Sequence, residues 1–466
     1  MTHALSCFKA YDIRGRVPET LDESIALALG FAFAENFAAR NVVVGRDARL
    51  SSQALREALT KGLLSGGARV TDIGLCGTEE IYHAASRHGF DGGIMVTGSH
   101  NPADENGFKL VRAGAIPVSA DSGLNELQSA VAGLLNSQRV AQTRWTDEIR
   151  TRSASFRTEY VRQIVEYSRA ACSRPAPLKI LADAGNGCAG LVLEKLAPLL
   201  PFELVFRRME PDGYFLHGVP NPLLPEQREE TARAVLECGA NMGIAFDGDF
   251  DRCFFYDSEG NFIEGYYCVG LLAGELLQRC SGAKIIHDPR VYWNTREVVL
   301  AGGGVPVMGK TGHAFIKEKM RIENALYGGE MSAHHYFRDF AFCDSGMLPW
   351  LFVAAMLSRT GRSLAEMVAE RMSAWPCSGE INRRVPNAEQ LMRNIRDHYA
   401  GAAVYEDHLD GVNLEFPDWR FNLRMSNTEP VLRLNVESRA NRPLLEDKTA
   451  ELLRYIDSNF SSMREV

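Results

Sequence analysis

A serine stands at position 99 with a glycine before it and a histidine after it, in Thr97-Gly98-Ser99-His100-Asn101-Pro102. The preceding run, Gly92-Gly93-Ile94-Met95-Val96, reads as a short buried strand, and Pro102 bars regular structure beyond. A hydroxyl held at the lip of a strand is placed for covalent chemistry. The same residues also make an ordinary polar turn in which Ser99 caps the next segment. Further on, Asp247-Gly248-Asp249-Phe250-Asp251-Arg252 sets three carboxylates at alternating positions after another apolar run. An extended backbone would put all three on one side. Three hard oxygen ligands so close repel one another unless a divalent cation lies between them. A solvated acidic turn is the competing reading. An EF-hand is excluded, since Arg252 stands at the sixth position and Ser258 at the twelfth. Few protein ligands beside a phosphate favour Mg²⁺.

Two further loops carry polar groups in suggestive order. Gly328-Gly329-Glu330-Met331-Ser332-Ala333-His334 offers a carboxylate and a hydroxyl two residues apart on a glycine-hinged loop, able to bracket vicinal sugar hydroxyls. Arg424-Met425-Ser426-Asn427-Thr428-Glu429-Pro430, followed by Arg433, flanks hydroxyl and amide donors with two arginines, the composition that grips a phosphate dianion. A surface hairpin with solvated charges has the same composition. Gly304 to Thr311 matches a P-loop letter for letter, but its four intervening residues, Val305-Pro306-Val307-Met308, themselves read as a strand, and the proline removes an N–H.

The elements that must position these loops recur. Apolar strands at Val42 to Asp47, Ala68 to Ile73 and Gly92 to Val96 alternate with helical stretches, one of them Ser51 to Leu64. A second set runs Lys179 to Asp183, a helix near Leu191 to Leu200, Phe202 to Phe206, then Met242 to Phe246. A third runs Lys284 to Asp288, a helix near Asn294 to Leu300, Val305 to Met308, then Ala325 to Tyr327. This predicts three α/β units, each delivering a polar loop at a strand end, where such sheets place ligands. Linkers are expected at 150–157, at 257–261 and around 359–362 and 375–379. The last part breaks the pattern: a strand from Ile381 to Val385, a helix near Ala388 to Tyr399, and strands Arg420 to Arg424 and Val431 to Val436.

At 466 residues with 45% hydrophobic and 24% charged residues, the composition is that of a multidomain globular protein. A net charge of −8 argues against a nucleic-acid binder working through bulk charge. The cysteines are scattered with no C-x-x-C pair, as expected of reduced cytosolic thiols. No signal peptide is evident, and the longest apolar run, near Leu348 to Leu357, is far short of a membrane span. A cytoplasmic protein with no membrane partner is expected.

With its loops in sequence, the chain resembles the α-D-phosphohexomutase superfamily, and within it the bacterial phosphomannomutase/phosphoglucomutase branch. TGSHNP at 97–102, DGDFDR at 247–252, GEMSAH at 329–334 and RMSNTEPVLR at 424–433 occur in the family's order, joined by KAYDIRG at 9–15, NGFK at 106–109, KTGH at 310–313 and CDSGMLPW at 343–350. The resemblance implies three similar α/β domains with mixed sheets (1–150, 151–258, 259–372) and a smaller α+β C-terminal domain (373–466), around a central cleft. It implies that Ser99 carries a phosphoryl group and, with Asp247, Asp249 and Asp251, holds Mg²⁺. Glu330 and Ser332 would select the sugar. Arg424, Ser426, Asn427, Thr428 and Arg433 would grip the non-reacting phosphate. His100 and Lys109 are the candidates for proton handling. Arg14, Arg252, Lys310 and His313 would make supporting contacts.

The implied reaction interconverts mannose 6-phosphate and mannose 1-phosphate, and the glucose phosphates, through a hexose 1,6-bisphosphate that is both intermediate and activator. A monomer acting on a small phosphosugar, with no nucleic-acid partner, is expected. Another phosphohexomutase, such as a phosphoglucosamine mutase, or a metal-dependent phosphatase is the alternative. Phe250 and Ala333 stand where the wider family often has smaller residues, a departure that points to substrate preference rather than to the chemistry.

Overall fold

The computed structural model describes residues 5–137, 151–169, 177–385, 387–425 and 431–462. They form two compact units, each assembled from non-consecutive segments. The first comprises 1–262, 313–322 and 334–361, and the second 263–312, 323–333 and 362–466.

In the first unit, three parallel strands, Gly92–Val96, Asn41–Arg46 and Arg69–Leu75, lie side by side with Asn41–Arg46 central. Glu105–Arg112 adds antiparallel to Gly92–Val96, and Ile13–Arg16 antiparallel to that. The central strand is a continuous apolar run buried on both faces, as parallel strands between helix layers must be. One layer is built by Glu23–Asn36 and Ser52–Ser65, where Gly30 and Gly62 let the two backbones touch. A Cβ on Gly62 would lie 1.9 Å from the Leu27 carbonyl oxygen. A second mixed sheet sets Cys253–Tyr256, Met242–Phe246, Lys179–Asp183 and Glu203–Arg207 in that spatial order, the last three parallel.

In the second unit, Lys284–His287 runs between Val305–Met308 and Tyr327–Gly329, all parallel. Its C-terminal part is an antiparallel sheet in the order Ile381–Arg383, Leu432–Ser438, Trp419–Met425, Val412–Glu415, Tyr405–Asp407. Phe421, Leu434 and Val436 of that sheet share a core with Leu391 and Ile395 of the helix Ala388–Tyr399 and with Leu452 and Ile456. The class is α/β with mixed sheets and a smaller α+β C-terminal part.

Several expectations are corrected in detail. The segment expected to link the first two units is partly a strand: Thr151–Ser153 joins the edge of the first sheet, parallel to Arg69–Leu75, and a helix starts at Arg157. Gly328 and Gly329 are not a hinge but lie inside the strand Tyr327–Gly329. A Cβ on Gly329 would meet the Val269 methyls at 2.6 Å, so the need there is for close packing. The apolar run near Leu348 is the helix Met347–Thr360, with an almost wholly buried surface. Val305–Met308 is a strand, which removes the P-loop reading because the loop residues are in the sheet. Among the described residues, no helix is long and apolar enough to cross a membrane.

Candidate active site

Ser99 follows the strand Gly92–Val96 directly, is buried, and adopts φ +50°, a left-handed conformation that is strained for a residue with a side chain. What holds it there is a net of buried hydrogen bonds. Its amide donates to Thr97 Oγ1 at 2.8 Å, and Gly98 N donates to Asp47 Oδ2 at 3.0 Å. Arg49 then gathers the loop's carbonyls. Its guanidinium donates to the oxygens of Ser99 (3.1 Å), Asn101 (2.6 Å), Pro102 (2.5 Å) and Glu105 (2.8 Å). Gly98 is required because Arg49 Nε would lie 2.3 Å from any Cβ. From the other side, Arg14 donates to the Thr97 oxygen at 2.5 Å while its Nε binds Asp12 at 2.8 Å. Arg14 is therefore a buried strut of the serine loop, not a solvated charge.

The Ser99 hydroxyl donates to Asp247 Oδ2 at 2.8 Å and lies 3.1 Å from His100 Nδ1. Asp247, Asp249 and Asp251 are fully buried, and one oxygen of each lies within 4.8 Å of the others. The expected extended alternation is not what gathers them. The loop turns, with Phe250 at φ +47°, and the turn brings the three side chains together. Gly248 permits this because a Cβ there would stand 2.6 Å from the Ser99 carbonyl oxygen. Thr78, opening the helix Thr78–Arg87, pins the turn through its hydroxyl on Asp249 Oδ2 (2.5 Å) and its amide on the Asp249 oxygen (3.1 Å).

The electrostatics follow from burial. Desolvation, with Asp251 and Asp249 adding repulsion, pushes Asp247 up to about 8. Lys109 answers the charge, with Nζ 2.7 Å from Asp249 Oδ2 and also bonded to Asp251. Burial opposes its ammonium form, but these carboxylates outweigh that and raise its pKa. His100 is held well below the usual histidine range by burial and by Arg252, Arg14 and Lys109, so it is neutral at pH 7. Arg252 Nε lies 3.1 Å from His334 Nε2 and 3.5 Å from Asp247 Oδ2. His313 is buried edge-on to Tyr11, with ring centroids 5.0 Å apart, and among the described residues neither of its ring nitrogens has a hydrogen-bond partner.

The donor set suits a hard divalent cation. It comprises three carboxylates and a hydroxyl, all oxygen, and Asp249 Oδ1 and Asp251 Oδ1 are buried with no hydrogen-bond partner among the described residues.

In the second unit, Glu330 is buried and accepts the Gly312 amide at 2.8 Å. Arg290 grips Asp288 through Nε (3.1 Å) and Nη2 (2.5 Å), reaches Glu380 at 2.7 Å, and stands 3.7 Å from Glu330. Ser332 is half-buried and Lys310 exposed. Arg424 and Arg433 face each other directly across two strands, a pairing that repels unless an anion intervenes. Glu380 is that anion, at 3.4 Å from Arg424 and 3.0 Å from Arg433. Burial alone would raise its pKa, but the Arg290, Arg433 and Arg424 guanidiniums hold it down at about 2. Ser426, Asn427 and Thr428 lie outside the described residues.

Four family models match the chain. They are described as phosphoglucomutase/phosphomannomutase alpha/beta/alpha domain I (residues 6–134), domain II (158–260) and domain III (264–375), and the C-terminal domain (380–454). The chain belongs to the phosphoglucomutase/phosphomannomutase family. A phosphomannomutase of Salmonella montevideo is 53% identical over 460 residues, covering 97% of this chain and 99% of its own length. A protein named for phosphohexose mutases, from Xanthomonas campestris pv. campestris, is 53% identical over 448 residues, covering 96% and 98%. A phosphoglucomutase/phosphomannomutase family protein of Burkholderia thailandensis has a solved structure with TM-score 0.84 and 32% identity, covering 98% of each chain.

Membership in this family leaves several residues that its loop motifs do not flag. Arg49, Thr78 and Glu380 each support a motif from outside it. Only the Asp47-Ala48-Arg49 step at a strand end carried a signal, an Asp poised to turn the chain. Phe250, expected to bear on substrate preference, is fully buried, its ring filling the space a Cβ on Gly77 would take.

Proposed function

We propose that this family member is a phosphomannomutase that interconverts mannose 6-phosphate and mannose 1-phosphate, and the glucose phosphates as well, through a phosphoserine at Ser99. The observation that carries the reading is the Ser99 hydroxyl, held at a left-handed strand end and hydrogen-bonded into a cluster of three buried aspartates. The near-full-length similarity to phosphomannomutases supports the sugar.

The chemistry assigned to each residue is as follows. Phosphoserine hands its phosphoryl group to the free sugar hydroxyl, so that the Ser99 O–P bond breaks and the sugar O–P bond forms. The hydroxyl proton passes to neutral His100, which returns it to the Ser99 oxygen 3.1 Å away. Lys109 stays charged and offsets the carboxylates. Arg252 does the same beside Asp247. Asp247, Asp249 and Asp251, with an oxygen on Ser99, would hold Mg²⁺, which when bound supplies charge neutralisation for the transferring phosphoryl group. The product is a hexose 1,6-bisphosphate, which must turn end for end before the second transfer and which, bound from solution, recharges the serine.

Glu330 and Ser332 read the 3- and 4-hydroxyls that mannose and glucose share. Arg424, Ser426, Asn427, Thr428 and Arg433 hold the distal phosphate, with Arg14, Lys310 and His313 in support. In domain terms, 1–150 supplies the serine, 151–258 the metal ligands, 259–372 the sugar contacts and 373–466 the phosphate grip.

Intact-mass measurement tests the reading. A fraction of the protein heavier by one phosphate, absent in Ser99→Ala, is the expected result. Steady release of phosphate from a single phosphosugar, or consumption of ATP, would instead mark a phosphatase or a kinase.

A further inference from the structure

The helix Thr78–Arg87, whose first residue pins Asp249, carries a second set of metal-ligating groups at its far end. His83 lies on that helix, His88 caps it, and Glu159 comes from the first turn of the helix Arg157–Arg169. One donor atom from each of the three lies within 4.8 Å of a donor atom of the other two. His88 Nε2 and Glu159 Oε2 are already 3.2 Å apart, close to the ~3.3 Å between neighbouring ligands of a tetrahedral Zn²⁺. The two imidazole centroids are 5.5 Å apart.

The burial and hydrogen bonding of His83 are what distinguish this group from a chance ion pair. His83 is only 5% exposed, and its Nδ1 is 2.6 Å from Gln163 Oε1. An amide oxygen accepts, so Nδ1 carries the proton and Nε2 presents a bare lone pair. Among the described residues, that Nε2 is buried with no hydrogen-bond partner. A ligating histidine is typically fixed in this way, its outer nitrogen donating to a neighbouring oxygen. His88 is steadied by stacking on Phe156, with centroids 4.2 Å apart.

We propose that His83, His88 and Glu159 form a binding site for a borderline divalent transition metal, of which Zn²⁺ is the representative, with solvent completing the coordination. Two imidazoles and one carboxylate are the ligand set for such a metal and a poor one for Mg²⁺, which demands oxygen. The site staples the helix Thr78–Arg87 to the helix Arg157–Arg169, a junction held by the Arg157–Glu80 pair at 2.9 Å. Occupancy therefore stabilises the helix that holds Asp249 in place.

Co²⁺ as a spectroscopic stand-in tests this on untagged, full-length protein, with Mg²⁺ in excess to fill the aspartate site. The expected result is one equivalent of Co²⁺ giving the visible absorption of a four-coordinate site, displaced by Zn²⁺. It should be lost in His88→Ala and in Glu159→Gln and retained in Asp249→Asn. The His88 and Glu159 variants should keep wild-type turnover in Mg²⁺ alone, and Zn²⁺ should raise the melting temperature of the wild type but not of either variant. Absence of the absorption in the wild type, or its survival in both variants, would overturn the proposal.

Discussion

Ser99 is placed by a residue fifty positions earlier in the chain. Arg49 satisfies four carbonyls of the serine loop from one rigid, planar group. Lysine could not repeat that geometry, so Arg49→Lys is not a conservative change here. Each carbonyl left unpaired in a buried loop costs roughly 1–3 kcal/mol, and Ser99, already at positive φ, would relax from its strained position. Steady-state kinetics should show kcat lowered at least about fivefold, which corresponds to the lower end of that range, with KM for the phosphosugar little changed. An unchanged kcat would mean that the loop holds Ser99 without Arg49.

The aspartates are a second case at this scale. Asp249→Asn keeps the shape but removes one of three carboxylates, so the Mg²⁺ concentration for half-maximal activity should rise at least tenfold with only a small change in melting temperature. Activity that survives exhaustive chelation would make the loop structural.

Elements explain what sequence alone could and could not convey. Strands ending in polar loops were legible because burial leaves a plain apolar signature. The edges of Gly92–Val96, Lys179–Asp183, Met242–Phe246 and Val305–Met308 fall where the pattern puts them. The aspartate triad was legible as composition but not as geometry, since nothing in DGDFDR announces a left-handed Phe250. Glu380 was invisible, because its meaning depends on two strands that bring Arg424 and Arg433 face to face.

Two outcomes belong to elements. A methyl on Gly77 would meet the Phe250 ring at 2.0 Å and push on the metal loop. Gly77→Ala should therefore weaken Mg²⁺ activation, and adding Phe250→Ala should restore part of it, the ring being the obstacle. Failure of that rescue would place the damage elsewhere. Glu380 makes the C-terminal sheet sensitive to acid. Its carboxylate is held at about 2 in the folded protein, below its ordinary value. A depressed carboxylate pKa contributes stability that is complete above about pH 4.5 and lost as pH falls towards 2, on the order of 3 kcal/mol in all. Glu380→Gln should flatten that part of the thermal-stability profile against pH.

At the scale of the whole molecule, the residues proposed to react and those proposed to grip the distal phosphate belong to different compact units. Ser99, His100, Lys109 and the three aspartates lie in one, and Glu330, Arg424 and Arg433 in the other. If each unit builds its own part, damage to one should leave the other's task intact. Ser99→Ala should abolish most turnover yet bind phosphosugar within a few fold of wild type, because the arginines are untouched. Arg433→Ala should do the reverse. Losing a charge-assisted contact to phosphate costs about 1.5–3 kcal/mol, or roughly ten- to a hundredfold in affinity. The same variant should still become phosphorylated on Ser99 when incubated with a saturating hexose 1,6-bisphosphate, as intact mass would show. Calorimetry on the first variant and mass measurement on the second read the two tasks separately. Loss of sugar binding in Ser99→Ala, or of the phosphoserine in Arg433→Ala, would mean that neither unit completes its part without the other. The proposed division between a reacting unit and a gripping unit would then fail.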